Sequence, residues 1–274
     1  MPNKPGTLWV VATPIGNLDD MAPRAVRVLA ESDVVAAEDT RHTGRLLKHF
    51  GIDARQLSLH EHNETRRVPQ IIERLGGGET VALVSDAGTP LVSDPGYRLV
   101  RAAREAGIAV FTVPGPCAAI AALSIAGLPT DRFHFEGFLP ARAAARRKRL
   151  QELAAGQETL VFYETPQRID SMLADAARSL GGDREALLCR ELTKLHETSF
   201  LGTIASLQAR LASDPGQLRG EMVLVVEGAG EGDGAGKLAD GRRLFELLAT
   251  ELPPGKAAKL AAAWSGCRRK ELYK

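Results

Sequence analysis

Residues 80–97 read Thr-Val-Ala-Leu-Val-Ser-Asp-Ala-Gly-Thr-Pro-Leu-Val-Ser-Asp-Pro-Gly-Tyr, and they constrain the fold more than any other stretch. Val81 to Val84 form a short apolar run, the mark of a strand buried on both sides. Small and turn-forming residues follow, Ala87-Gly88-Thr89-Pro90. Asp94-Pro95 then reads as a helix N-cap with proline at the first helical position. Leu99, Val100 and Ala103 continue at helical spacing. A strand, a glycine-containing loop and a helix in succession mark the place where open α/β sheets bind ligands. Neither a G-x-G-x-x-G fingerprint nor a G-x-x-x-x-G-K-[ST] phosphate loop is present, so the ligand is of another kind.

The same alternation runs through residues 7–115. Leu8 to Ala12 read as a strand, and Ala22, Ala25, Val26 and Leu29 share one helix face. Val34 to Ala37 form a second strand. Leu46, Leu47 and Phe50 mark a helix that Gly51 stops, and Val68, Ile71, Ile72 and Leu75 mark another. Ala109 to Val113 form the last strand of this unit. Strands separated by helices predict a mainly parallel sheet. Pro114-Gly115-Pro116 breaks the pattern, and a small-residue helix follows from Ala118 to Ala126. Strands then recur at Phe133 to Phe135, at Thr159 to Phe162, and near 186–190, 198–203 and 221–226. Thr165-Pro166 reads as the cap of a helix carrying Ile169, Met172, Leu173, Ala176 and Leu180. Adjacent strands without long crossovers predict a mixed or partly antiparallel sheet. The fold class expected is α/β, with an N-terminal α/β domain over residues 1–117 and a second over 118–228. A flexible glycine-rich linker is expected over 229–238, then a helical extension over 239–274, too small to hold a large core alone.

Composition narrows the class. Apolar residues make up 44% and charged residues 25%, an ordinary soluble balance. No apolar run approaches the roughly 20 residues that span a bilayer, and Met1 to Gly6 lack the apolar stretch of a secretory leader. A cytoplasmic protein with no membrane partner is expected. Cys117, Cys189 and Cys267 are odd in number and far apart, which argues against a disulfide scaffold or a zinc site. The net charge of +1 provides no global field for nucleic acid, so any such binding needs a local patch.

Polar clusters sit where strands end. Thr13-Pro14-Ile15-Gly16-Asn17 follows the first strand and bends the chain toward a cleft. Glu38-Asp39-Thr40-Arg41-His42-Thr43 ends the second. His60 and His62, two residues apart, would share a face on a strand, but no third ligand at a defined spacing supports a metal. Arg190-Glu191-Leu192-Thr193-Lys194 sits past another apolar strand, either to meet phosphate or to pair internally. Arg142, Arg146, Arg147, Lys148 and Arg149 form the densest basic cluster. They read as an RNA-binding patch, or as a solvated helix face.

These strings, in this order, resemble the tetrapyrrole methylase superfamily. They are most similar to the branch that 2′-O-methylates a cytidine ribose in small-subunit (16S) ribosomal RNA. The matching segments include LWVVATPIGNLDD, AAEDTRHTGRLLKHFGI, HEHNE, LVSDAGTPLVSDPGY, VPGPCAAIAALSIAGLPTDRFHFEGFLP, LVFYETPQRI, CRELTKLHE and GEMVLVVEG. The resemblance implies two α/β domains of tetrapyrrole methylase type with S-adenosylmethionine in the cleft between them, and a homodimer. It carries donor contact onto Gly88, Thr89, Pro90, Leu91 and Val92, with Thr89 where the wider family has aspartate. A carboxylate role there passes to Asp86 or Asp94, or is absent. It also carries donor contact onto Pro114, Gly115, Cys117 and Ala118, and onto Pro14, Phe162, Tyr163, Leu192 and Met222. Bare main chain at the Gly88 and Gly115 bends is the expected cradle.

Methyl transfer to a ribose hydroxyl asks for alignment and for the handling of one proton. Glu191 or Asp39 is the expected proton acceptor. Lys194 or Arg41 is the expected partner of developing negative charge or of phosphate. Two other readings stay open at this point: a methyltransferase acting on a tetrapyrrole or other small molecule, and a ribosome-binding relative without catalysis.

Overall fold

The computed structural model describes residues 6–214, 216, 218–230 and 234–272, with the backbone alone over 234–240. Strands β1 (Thr7–Val11), β2 (Val34–Ala37), β3 (Gln56–Ser58), β4 (Val81–Val84) and β5 (Ala109–Val113) form one sheet in the order β3-β2-β4-β1-β5. Every pairing in it is parallel. The reason lies in the strands' composition: β2 and β4 are buried at all four positions, so both faces need cover. Val34, Ala36, Val81 and Leu83 face α3 (Glu64–Gly76) and α4 (Tyr97–Glu105). Val35, Ala37, Ala82 and Val84 face α1 (Pro23–Glu31) and α2 (Thr40–His49). The chain leaves β1 toward β2 on one side and leaves β4 toward β5 on the other. The carboxyl ends of β1 and β4 therefore border the crevice that such a reversal of strand order opens.

The second sheet has the order β6-β7-β10-β8-β9. It comprises β6 (Phe133–Phe138), β7 (Thr159–Glu164), β8 (Glu185–Arg190), β9 (Thr198–Thr203) and β10 (Met222–Val226). Only β6 and β7 pair in parallel; the other three pairings are antiparallel. The mixed sheet matches the sequence expectation. One face packs under α6 (Ala143–Leu153), α7 (Ile169–Leu180) and α8 (Ile204–Ser213), the other under α5 (Ala118–Ile125). The passage from the first sheet to the second thus lies between Val113 and Ala118. Helix α8 is absent from the sequence reading. Its signals are Ile204, Leu207 and Leu211 on one buried face, with the Thr203 hydroxyl accepting from Ser206 N–H.

Two helix starts differ from expectation. Asp94-Pro95 does not open α4; the helix begins at Tyr97 after Gly96, whose φ is 125°. The buried carboxylate of Glu64, from α3, accepts from the N–H groups of Gly96 and Arg98 at 3.2 Å each. A side chain distant in sequence supplies the cap, and Asp94 is released for other contacts. Likewise α7 begins at Ile169, not at Thr165-Pro166, because residues 165–168 make a turn closed by Arg168 N–H on the Thr165 carbonyl. His60 and His62 lie in the turn before α3, past the end of β3, so they share no strand face.

The glycine-rich stretch is also corrected in part. Residues 231–233 lie outside the described ones, but α9 spans Gly234–Ala249, so the linker expected over 229–238 ends inside a helix. Glycine costs a helix about 1 kcal/mol relative to alanine, which packing can repay. Helix α9 packs along α10 (Pro254–Ser265), and a Cβ at Gly241 would meet Ser265 and Leu272. Among the described residues no helix is long and apolar enough to cross a membrane.

The basic cluster on α6 differs most from its reading. Arg146 is buried, with 4% of its surface exposed. Its Nε and Nη2 meet Asp175 Oδ2 of α7 at 2.8 and 2.7 Å. Arg147 approaches the other oxygen of Asp175 at 3.5 Å. Arg149 makes a fork to both oxygens of Glu136 at 2.7 Å and a bond to Glu152. The acids that neutralise this cluster come from β6, α7 and the last turn of α6, so the local run of sequence hides them. Arg142 and Lys148 alone of the five are fully exposed. Removing one member of a buried pair leaves the other charge stranded. Asp175→Ala is therefore expected to destabilise the chain by about 3–5 kcal/mol in urea unfolding, and Glu105→Ala, at an exposed pair, by under about 1 kcal/mol.

Candidate active site

Two loops meet at the crevice, residues 12–17 after β1 and 85–96 after β4. Thr13 and Gly88 join them by reciprocal backbone hydrogen bonds of 2.9 and 3.0 Å. Gly88 has a φ of 83°, and a Cβ there would press on Ile15 at 3.3 Å. Its N–H and C=O both bond Thr13. The Thr89 hydroxyl donates to the Pro116 carbonyl at 3.0 Å and ties the second loop to the passage between the sheets. Gly115 packs 3.0 Å from Ala12 Cβ, measured from where its own Cβ would stand.

A cavity of about 410 Å³ opens between these loops and the second sheet. Asp86, Gly88, Thr89, Val92, Cys117, Ala118, Tyr163 and Met222 line it, as do Glu38, Asp94, Thr165 and Glu221. Pro14 lines an adjoining hollow instead. Phe162 is buried on the opposite face of its sheet, among the side chains under α7. The alternation of β7 explains this: Val161 and Tyr163 point toward α5, Leu160 and Phe162 away. Leu192 is packed in the core beneath α5. Pro90, Leu91, Pro114 and Gly115 border the lining without forming it. Sequence reasoning did not single out Glu38; its signal was its position just past the end of a buried parallel strand.

The cavity concentrates carboxylates. Burial holds Glu38 above the usual carboxylate range, and the charges of Asp94 and Asp86 add to this. Asp94 is also raised, by burial first and then by Asp86. Asp86 accepts from the Asp39 N–H at 3.0 Å. Burial likewise raises the Tyr163 phenol, whose oxygen accepts from the Ala119 N–H at the start of α5. Glu38, Asp86 and Asp94, with Glu164 and Glu221 also in the lining of this largely apolar hollow, favour a positively charged occupant.

The two expected proton acceptors have the opposite character. The Arg41 side chain, then the Arg41 N–H, pull Asp39 down to about 2. Asp39 is the N-cap of α2 and pairs with Arg41 at 3.0 Å. Partial burial pushes Glu191 up, but the Lys194 ammonium and the Glu221 N–H outweigh it and hold it below the usual range. Lys194 Nζ lies 2.9 Å from Glu191 and 3.0 Å from Glu221. Its side chain crosses Gly16 so closely that any Cβ there would collide with it. This contact joins the two sheets' loops at the rim.

Backbone strain marks both sides of the cleft. Leu91 and Ser93 have φ of 74° and 66°, and Glu191 and Thr193 have 52° and 66°. Such residues cost about 1–3 kcal/mol each and gather at functional sites.

Residues 7–208 match the family described as Tetrapyrrole (Corrin/Porphyrin) Methylases, and residues 235–274 match the RsmI C-terminal HTH domain. The Xylella fastidiosa protein named Ribosomal RNA small subunit methyltransferase I is 56% identical over 269 residues, covering 98% of each chain. Its namesake from Pseudomonas aeruginosa is 55% identical, covering 98% of this chain and 95% of its own. Among solved structures, uroporphyrin-III-C-methyltransferase from Thermus thermophilus superposes with a TM-score of 0.57 at 23% identity, covering 81% of this chain and 94% of its own. The methyltransferase CobJ gives 0.60 at 20% identity, covering 82% and 95%. At those identities the structures share the fold alone. The family match over most of the chain and the full-length identities lead to one conclusion: this chain belongs to the tetrapyrrole (corrin/porphyrin) methylase family.

Proposed function

We propose that this chain transfers a methyl group from S-adenosylmethionine to the 2′-oxygen of a cytidine ribose in small-subunit (16S) ribosomal RNA. The observation that carries the reading is identity of 55–56% across 98% of this chain to relatives named for that RNA. A tetrapyrrole acceptor has less support, since the tetrapyrrole enzyme named above shares only 23% identity.

The cleft fits the donor. Its volume of about 410 Å³ falls in the roughly 300–1,000 Å³ of small-molecule sites. Glu38, Asp86 and Asp94 answer the sulfonium and ammonium charges that the donor carries. When bound, S-adenosylmethionine supplies a methyl group made electrophilic by positive sulfur. Thr89, Val92, Cys117, Ala118, Tyr163 and Met222 form the walls that hold and orient it.

The proton of the ribose hydroxyl passes to the carboxylate cluster of Glu38, Asp86 and Asp94. A base works best when its pKa approaches the working pH, and burial moves Glu38 and Asp94 in that direction. Asp39 and Glu191 move away from it. Asp39 caps α2, and Lys194 with Glu191 braces the rim. Arg41 keeps Asp39 charged. Residues 1–117 and 118–228 act as two domains around the donor. A homodimer forms, with Phe111 of β5 and Ile120 and Ile125 of α5 among the exposed apolar side chains it can cover. The reaction takes place in the cytoplasm, with RNA of the small subunit as partner.

Calorimetry is expected to show one donor site per chain. Mass mapping of 16S rRNA from a strain lacking this chain should show one unmethylated cytidine, restored by the wild-type chain; a complete methylation pattern in that strain would overturn the reading. For the proton, Glu38→Gln at saturating donor is expected to slow single turnover by about 10²–10⁴-fold. Asp39→Asn keeps the helix cap and should keep the rate. Because burial raises Glu38 and Asp94, the wild-type rate should climb with pH through an apparent pKa above that of a free carboxylate. A pH profile flat above pH 4 would remove the cluster as acceptor.

A further inference from the structure

A second hollow, of about 310 Å³, adjoins the donor cleft. The two share Ile15, Asp86, Ala87 and Glu221 as lining residues, so they have a wall in common. Its outer wall is α2. His42, Arg45 and His49 stand at i, i+3 and i+7, one face of that helix, and all three are exposed. Leu18 and Leu46 add an apolar floor.

Arg45 is the fixed charge of this wall, and His42 and His49 add hydrogen-bonding ring nitrogens. Among the described residues, none of the ion pairs engages His42, Arg45 or His49. On α6, by contrast, Arg146, Arg147 and Arg149 each have an acid. Lys194, the other cation of the hollow, is held between Glu191 and Glu221. A chain of net charge +1 attracts a polyanion only where local positive charge is unpaired, and here such charge lines the same hollow as Asp86, a carboxylate that both cavities share.

We propose that this hollow is the entry of the acceptor strand. Arg45, with His42 and His49, holds a backbone phosphate of the RNA, the apolar floor takes a base, and the ribose is presented to the shared wall at Asp86. The proposal rests on the reading of the chain as an RNA methyltransferase, and it places acceptor contact on α2 rather than on the α6 cluster. The charges fit a phosphate diester. The position fits too, since a hydroxyl presented at Asp86 lies at the wall shared with the donor cleft.

The test uses the full chain and small ribosomal subunits from a strain lacking it. Arg45→Ala is expected to weaken subunit binding about tenfold and to lower the slope of log K against log salt by about one. Arg45→Glu and the double variant His42→Ala with His49→Ala should weaken it further. Calorimetric affinity for S-adenosylmethionine should stay at the wild-type value in each, which also shows that the variants fold. Arg101→Ala, at an exposed pair on α4, should leave both unchanged. Wild-type subunit affinity and salt slope in Arg45→Glu would overturn the α2 assignment while methylation by the parent chain leaves the function standing. A parent chain that methylates no subunit RNA would remove the function reading, and this site with it.

Discussion

The cross-connection of Thr13 with Gly88 is the constraint on which the site depends. Two parallel strands end side by side, and their continuing loops must diverge because the chain leaves them in opposite directions. Reciprocal main-chain bonds hold the loops together for one more residue before they part. Glycine suits position 88, where φ is positive and a Cβ would press on Ile15. From there the 85–96 loop is free to run irregularly, with its strained residues and its acids turned toward the second sheet.

Charge is distributed by the same logic of long-range packing. Glu38, Asp86 and Asp94, which have no cation partner among the described residues, meet inside the donor cleft, where burial and neighbouring charge raise the proton affinity of Glu38 and Asp94. Other acids have cation partners: Asp39 at a helix start, Glu191 and Glu221 under Lys194, Asp175 and Glu136 under the arginines of α6. The cationic face of α2, with Arg45 in no ion pair among the described residues, borders a hollow that shares Asp86 with the acid-lined cleft. A positively charged donor and a polyanionic acceptor thus find opposite environments side by side, with Asp86 on the wall between them.

Much of this was legible from the chain itself. The buried runs at 34–37 and 81–84 gave strands at those bounds, since continuous apolar residues between turns have few other solutions. The glycine loop after β4 announced the ligand site, and the breaks at Pro114 and Gly115 announced the change of sheet. The elements misread share a cause. The cap of α4 comes from Glu64, about thirty residues away, so Asp94-Pro95 looked like a start it does not make. Phe162 matched a donor-lining segment, but the pleat turns it to the far face. Glycines at 234–238 looked like linker because the packing of α9 on α10 lies outside any local window.

The local sequence fixed by itself the alternation of elements, the parallel first sheet, the mixed second sheet and the loops that border the cleft, because periodicity and turn chemistry act between residues near one another in the chain. Tertiary structure alone decided which charges are free. Arg146, Arg147 and Arg149 were paired by Asp175 of α7 and Glu136 of β6, and half-buried Glu38 gained acidic neighbours only when Asp86 and Asp94 arrived from another loop. Coulombic and desolvation energies depend on distance in space and on exclusion of water, and neither is a property of position along the chain.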